Sequence, residues 1–414
     1  MATDPGPSPN RTRIFAACGI LLAVEIAIFL FLAAGTHGLI VPMAKPTSTD
    51  FVSFYAAGRL ADAGTPQLAY DRAAHYAAEQ QATQPGITYN YFFYPPVFLS
   101  LCTALARLPY MVAFVIFEAA TLLLYLLVAR AILAERDWRI FVPLLAFPPV
   151  LWTIGLGQNA LLTAALFGAA TLLIDRRPVV AGLLFGALCY KPHFGLLVPV
   201  ALIAGRRWPA LAAACLSVAA LSLLSLVLFG PQTWHAYLSA MTAARATYET
   251  GHISFAGYVT PFGAMMLRGA GLAMAYSAQI AASLAATAFV AVVWHRGLPL
   301  PIRAATLAAA TLAAVPLALF YDLMIAAIAG LWLLRADGAY RLPDWGKVAL
   351  AALFILTLDP RGLAQASHLP VGPLAALGMA ALVATLALRP ALSAPVAMTE
   401  HSARPTSNRL PSRP

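Results

Sequence analysis

The residues able to do chemistry are few. The chain has 414 residues and only 16 carboxylates, and one of these, Asp50, sits in the run Ser48-Thr49-Asp50-Phe51-Val52-Ser53-Phe54-Tyr55, shortly after the first long apolar segment. A carboxylate held at a membrane surface is a candidate general base, able to take a proton from a hydroxyl as it attacks. Its plain alternative is a helix cap, a job Ser48 or Thr49 can do equally well. Lys191, in Tyr190-Lys191-Pro192-His193, interrupts an apolar stretch where an ammonium needs an anionic partner. A phosphate supplies that charge; so does a structural carboxylate such as Glu118, and a snorkelling lysine needs neither. His193 and Arg245 are weaker candidate companions. Gly157-Gln158-Asn159 puts two amides at the head of an apolar helix, either for sugar hydroxyls or for capping. Asp322, in Phe320-Tyr321-Asp322, is a polar contact inside a cavity or half of an internal salt bridge. Glu25 and Glu118 lie mid-helix and read as structural, whereas Asp62, Asp71 and Glu79 fit turns and loop helices.

The elements that must position these groups are membrane helices. The composition is 61% hydrophobic and 10% charged, against roughly 25% charged in soluble domains. Apolar runs recur from Ile14 almost to Leu388, so the fold class is all-α, a polytopic transmembrane helical bundle. The net charge of +10 comes from basic residues that punctuate the gaps between apolar segments, such as Arg176-Arg177 and Arg206-Arg207, which fits cytoplasmic turns and excludes a nucleic-acid surface. Cys18, Cys102, Cys189 and Cys215 fall inside apolar segments as packing residues, not as disulfide or metal sets.

Residues 1–13 read as a disordered cytoplasmic tail, 14–390 as one integral membrane domain whose first segment is a retained signal anchor, and 391–414 as a second tail. The loop 36–93 lies outside and is structured. A helix from 51, with Phe51, Phe54, Tyr55 and Leu60 on one face, is expected to lie along the membrane surface until Gly64-Thr65-Pro66, and a second starts at Asp71. Spans follow at 94–108, 110–134, 158–174, 179–204 as two short helices around Lys191-Pro192-His193, 208–230, 270–294, 301–318, 319–334, 348–367 and 371–388, with a smaller outer loop at 231–260. The stretch 139–157 leaves an odd number of crossings, which points to a re-entrant segment; about 10 to 13 helices are expected. A glycine-rich phosphate loop, a Walker motif and a zinc-hydrolase motif are all missing, so no cofactor or metal is expected, and a donor would come from the lipid phase.

Taken in order, Asp50-Phe51 with Tyr55, Ala56, Ala57 and Gly64, then Ala69-Tyr70-Asp71, Tyr94-Pro95-Pro96, Gly157-Gln158-Asn159, Ala181-Gly182-Leu183 with Lys191-Pro192, and Tyr321-Asp322, resemble the polyprenyl-phosphate-mannose-dependent mannosyltransferase family of the GT-C superfamily. The resemblance spans about residues 14–335; each motif is short, and their order and distance from the membrane segments make the combination specific. It implies a GT-C-like bacterial inner-membrane glycosyltransferase with its active site facing the periplasm or exterior. Such an enzyme moves a mannose-like hexose from a polyprenyl phosphate to a glycolipid or glycan acceptor. The family's proposed catalytic aspartate maps onto Asp50.

On that reading Asp50 is the base of an inverting displacement, Lys191, His193 and Arg245 meet the donor phosphate, and Tyr55, Gln158, Asn159 and Asp322 contact sugar or acceptor. Lys191 is then expected to be removable without serious harm to the fold. The rival reading is a transporter or flippase for a lipid-linked or anionic solute, its pathway lined by Lys191, Glu118 and Asp322. A structural partner in envelope assembly is the third. A structured outer loop with no visible inverted repeat favours the enzyme.

Overall fold

A computed structural model describes residues 9–34, 36, 40 and 46–389. Expectations for residues 1–8, for parts of the stretch 35–45 and for the tail 391–414 lie outside the described residues, and residues 9–13 belong to the first helix rather than to a tail. The described residues form eighteen α-helices and no strand. They are α1 (Pro9–Ala34), α2 (Phe51–Asp62), α3 (Arg72–Ala82), α4 (Pro96–Ala106), α5 (Tyr110–Leu133), α6 (Phe141–Leu145), α7 (Pro148–Leu156), α8 (Ala160–Leu173), α9 (Pro178–Ala187), α10 (Val198–Ala204), α11 (Trp208–Glu249), α12 (Pro261–Leu267), α13 (Leu272–His295), α14 (Leu300–Ala314), α15 (Met324–Arg335), α16 (Asp344–Leu356), α17 (Pro360–Ser367) and α18 (Val371–Ala387).

Helices α1, α5, α11 and α13 are long and apolar enough to cross a bilayer. The remaining apolar helices are mostly short: an 11-residue helix such as α4 covers about 16 Å, well under the hydrocarbon thickness of about 30 Å. They cross the bundle broken by prolines, each of which opens a new helix at its first turn, where a missing N–H costs nothing. The stretch 139–157 falls on a pair of short helices bent by 69°, the geometry of a broken span or a re-entrant loop. The span expected at 348–367 is not one straight helix: α16 and α17 meet at 76°, because Asp359 and Pro360 cap and start a new helix. α11 likewise breaks at Gly230, whose φ of 75° precedes Pro231, so the expected outer loop from 231 begins as a helix. α2 is also corrected. Residues 51–58 are all buried, so it is a core element and not a helix resting on a surface.

Two ends of the bundle are distinguished by what the helices carry. α8 begins beside Gln158 and ends before Arg176-Arg177; α9 returns to Lys191; α10 runs back to Arg206-Arg207. α5 and α15 both run from the first end to the second, where Arg335 donates to the carbonyls of Ala131 and Ile132 at the end of α5. At that second end Asp175 accepts from Arg207 (2.5 Å) and Arg303 (2.6 Å), tying three parts of the chain together. Asp50, Gln158, Lys191 and Asp322 all lie at the first end.

Close helix contacts set this geometry. A Cβ on Gly182 would come within 2.1 Å of the Ala210 carbonyl oxygen, and one on Gly186 within 2.5 Å of that of Ala214, so α9 and α11 touch backbone to backbone along a small-residue stripe.

Candidate active site

Asp50 stands at the N-cap position of α2 with helical backbone angles and makes no cap hydrogen bond. Its anchors come from the turn between α7 and α8. The Asp50 amide donates to the Leu156 carbonyl (2.7 Å), and Gln158 Nε2 donates to Asp50 Oδ2 (2.7 Å). The residue between is Gly157, with φ of +69° and an ideal Cβ position only 2.6 Å from Phe51 Cβ, so no other residue fits this turn against α2. Gln158 Oε1 in turn accepts from the Tyr94 hydroxyl at 3.4 Å. The hydroxyls of Ser48 and Thr49, the alternative caps, pair instead with Tyr110 Oη (3.5 and 3.2 Å). A cap is worth about 1 kcal/mol, and α2 forgoes it. The freed carboxylate is aimed into a cavity, and its Oδ1 takes no hydrogen bond from the described residues.

Burial pushes the Asp50 carboxyl above its ordinary range, against the pull of the Gln158 hydrogen bond and of the positive charges on Arg361 and Lys191. A carboxylate so shifted is a better proton acceptor than one in water, and the Gln158 hydrogen bond favours its ionised form.

The cavity has a volume of about 540 Å³ and gathers side chains from the first loop, the α7–α8 turn, the α9–α10 break, the second half of α11 and the segment leading into α15. Lys191 follows the 3₁₀ turn at the end of α9, and Pro192 holds it out of the helical region. Its Nζ donates to Asp322 Oδ1 at 3.0 Å, with both side chains almost fully buried. Asp322 Oδ2 accepts from the Leu319 amide (3.0 Å), and the rings of Phe194 and Tyr321 (both 5.5 Å) and Tyr94 (6.0 Å) surround the ammonium. Lys191 therefore has a protein partner, Asp322 rather than Glu118. Glu118, buried on α5, has no hydrogen-bond partner for either carboxyl oxygen.

Of the residues singled out in the sequence, Asp50, Gln158, Lys191, His193 and Asp322 line the cavity together. Tyr55, Asn159 and Arg245 do not, and those assignments are corrected on geometry. Tyr55 points behind α2, where its hydroxyl donates to the Leu108 carbonyl (2.9 Å) and its ring packs on Tyr110. Asn159 is fully buried behind the wall; its amide lies near the Tyr94 hydroxyl, yet neither polar atom makes a hydrogen bond of good geometry. Arg245 is exposed and ion-paired to Glu249 (2.7 Å). It stands one residue past Ala244, which lines the cavity, and one residue turns a helix by about 100°.

Arg361, at the start of α17, lines the cavity and was not singled out from the sequence. Its signal was the string Asp359-Pro360-Arg361-Gly362, a helix start embedded in what reads as one span. One part of the wall is aromatic, with Tyr91 and Phe93 stacked at 5.1 Å and Phe93 against Tyr248. Among the described residues no three of His, Cys, Asp or Glu converge to hold a metal.

Compared with known sequences, the profile of glycosyltransferase family 87 matches residues 92–320, more than half of the chain. The chain belongs to glycosyltransferase family 87. No curated protein and no solved structure matches it significantly. Family 87 membership makes the protein a multi-pass membrane glycosyltransferase, and the transporter reading is not favoured. The match takes in Gln158, Lys191 and His193 and leaves Asp50, Asp322 and Arg361 outside its limits. The two cavity carboxylates of this family 87 glycosyltransferase thus come from flanking segments that fold onto the matched region.

Proposed function

We propose that the protein transfers a hexose, with mannose the first to test, from a polyprenyl phosphate to a hydroxyl of a glycolipid or glycan on the outer face of a bacterial inner membrane. The observation that carries this reading is the Asp50 carboxylate, half-buried at a cavity wall, held by Gln158 and not used as a helix cap. Asp50 accepts the proton of the acceptor hydroxyl as that oxygen attacks the anomeric carbon, and the lipid phosphate leaves from the opposite face with the bond electrons. One displacement inverts the centre, and the phosphate leaves without needing a proton. The aromatic wall suits sugar rings, which present apolar C–H faces.

Orientation is supported by charge. The arginine-rich turns lie at the end of the bundle away from the cavity, and positive turns favour the cytoplasm, which turns the cavity outward. The donor class is supported by the site's place among membrane helices.

The test offers purified protein a set of polyprenyl-phosphate hexoses with glycan acceptors and follows released polyprenyl phosphate. Wild-type release that disappears in Asp50→Asn supports the reading. Full release by Asp50→Asn, or none by the wild type with any donor of the set, sinks it.

A further inference from the structure

Among the described residues, the Asp, Glu, Lys and Arg side chains that line the cavity are Asp50, Asp322, Lys191 and Arg361. Two of these are spent on each other, because Lys191 Nζ sits 3.0 Å from Asp322 Oδ1 in near-complete burial. Arg361 is different. Among the described residues it has no carboxylate within ion-pair distance, and the nearest in sequence, Asp359, is occupied: its Oδ1 accepts from the Gly362 amide at 2.9 Å.

The segment that presents Arg361 is built for a fixed position. Asp359 caps α17, Pro360 opens it, and a Cβ at position 362 would come within 2.1 Å of the Asp359 carboxylate, so glycine there leaves the cap undisturbed. Trp152 Nε1 donates to the Leu358 carbonyl (2.9 Å) and its ring meets Phe320 edge-on, two residues before Asp322. Ala364, one turn on, is buried against Ala256 and Val371. The arginine itself remains exposed, so it stands at the open side of the cavity.

We propose that Arg361 is the cation that receives the phosphate of the donor, an assignment that rests on the glycosyl-transfer reading above. A guanidinium offers paired N–H donors that match two phosphate oxygens, which an ammonium cannot. Arg361 and Asp50 line the same cavity and, among the described residues, form no ion pair with each other, which leaves cavity space between them. A sugar whose phosphate rests on Arg361 spans that space with its anomeric carbon toward Asp50. Leaving group and base then lie on opposite sides of the reacting carbon, as an inverting displacement demands.

The probe is farnesyl phosphate, a short isoprenyl phosphate, titrated calorimetrically into the purified full-length protein in detergent, with farnesol as the uncharged control. Expected are saturable binding of farnesyl phosphate by the wild type, a loss of tenfold or more in Arg361→Gln, an intermediate loss in Arg361→Lys, and unchanged response to farnesol. Arg245→Gln, at an exposed arginine outside the cavity wall, should change affinity by less than threefold. Wild-type affinity in Arg361→Gln overturns the proposal, as does no saturable binding by the wild type, or an equal tenfold loss in Arg245→Gln. If farnesyl phosphate binds through Arg361 yet no polyprenyl-phosphate sugar is turned over, the proposed function fails and the phosphate assignment stands. Melting temperatures within a few degrees of wild type for both Arg361 variants confirm that the affinities compare folded proteins.

Discussion

At Asp50 the decisive fact is a bond that is not made. Because the carboxylate caps nothing, Asp50→Asn should leave the melting temperature close to wild type while lowering turnover by about 10²–10⁴-fold, with donor affinity retained. Retained turnover would assign Asp50 to structure. Gln158→Ala tests the same carboxylate from its partner. The Gln158 hydrogen bond favours the ionised form, so its loss should move the acidic limb of the pH–rate profile to higher pH. A limb that stays in place would show that the titrating group is not Asp50. Lys191 and Asp322 were visible in the sequence as polar residues in costly surroundings, Asp50 as a carboxylate at a loop head by the membrane, and Gln158 as an amide at a helix start. Their pairing was not, since Asp50 with Gln158 and Lys191 with Asp322 are 108 and 131 residues apart. The misplaced residues share one cause. Tyr55, Asn159 and Arg245 each neighbour a cavity residue, and sequence alone does not give the phase of a helix around its axis.

At the scale of elements, the Lys191–Asp322 pair locks the break between α9 and α10 to the start of α15. Lys191→Met alone strands a buried carboxylate, which typically costs about 3–5 kcal/mol, so the expectation that this lysine is dispensable to the fold is revised. A large fall in melting temperature for Lys191→Met, recovered in good part by adding Asp322→Asn, would show the lock; an unchanged melting temperature would refute it. The first loop has its own lock. Glu79, fully buried on α3, accepts from the Asn90 amide, and burial raises its carboxyl to about 9. Its unfolded value is near the ordinary 4.5, so the protonated form stabilises the loop below that value, and the contribution is lost as pH rises toward 9. Glu79→Gln should therefore flatten the fall of melting temperature between pH 5 and about 9. A slope identical to wild type would show that Glu79 does not titrate there. The proline-opened short helices were largely legible, because proline and glycine mark their ends. α16 and α17 were not separated, because Asp359-Pro360 is embedded in an otherwise apolar run and hydropathy averages over it.

For the whole molecule, the all-α class and the membrane setting followed from composition, since 10% charged residues cannot cover a soluble protein of this size. Sidedness makes a direct test. In a background with Cys18, Cys102, Cys189 and Cys215 replaced by Ala, Arg177→Cys should be labelled by an impermeant thiol reagent only from the cytoplasmic side, and Ser367→Cys, at the end of α17, only from outside. Labelling of both from one side would remove the opposed-ends topology on which the outward cavity rests. The distance along the chain between the parts of the site also bears on how the protein is made. Asp50 is threaded into the membrane with the first helices, its glutamine partner follows 108 residues later, and Asp322 and Arg361 enter among the last segments. A nascent chain thus carries no assembled site until nearly all of it has left the ribosome, so premature release yields inert fragments and not a partly active enzyme.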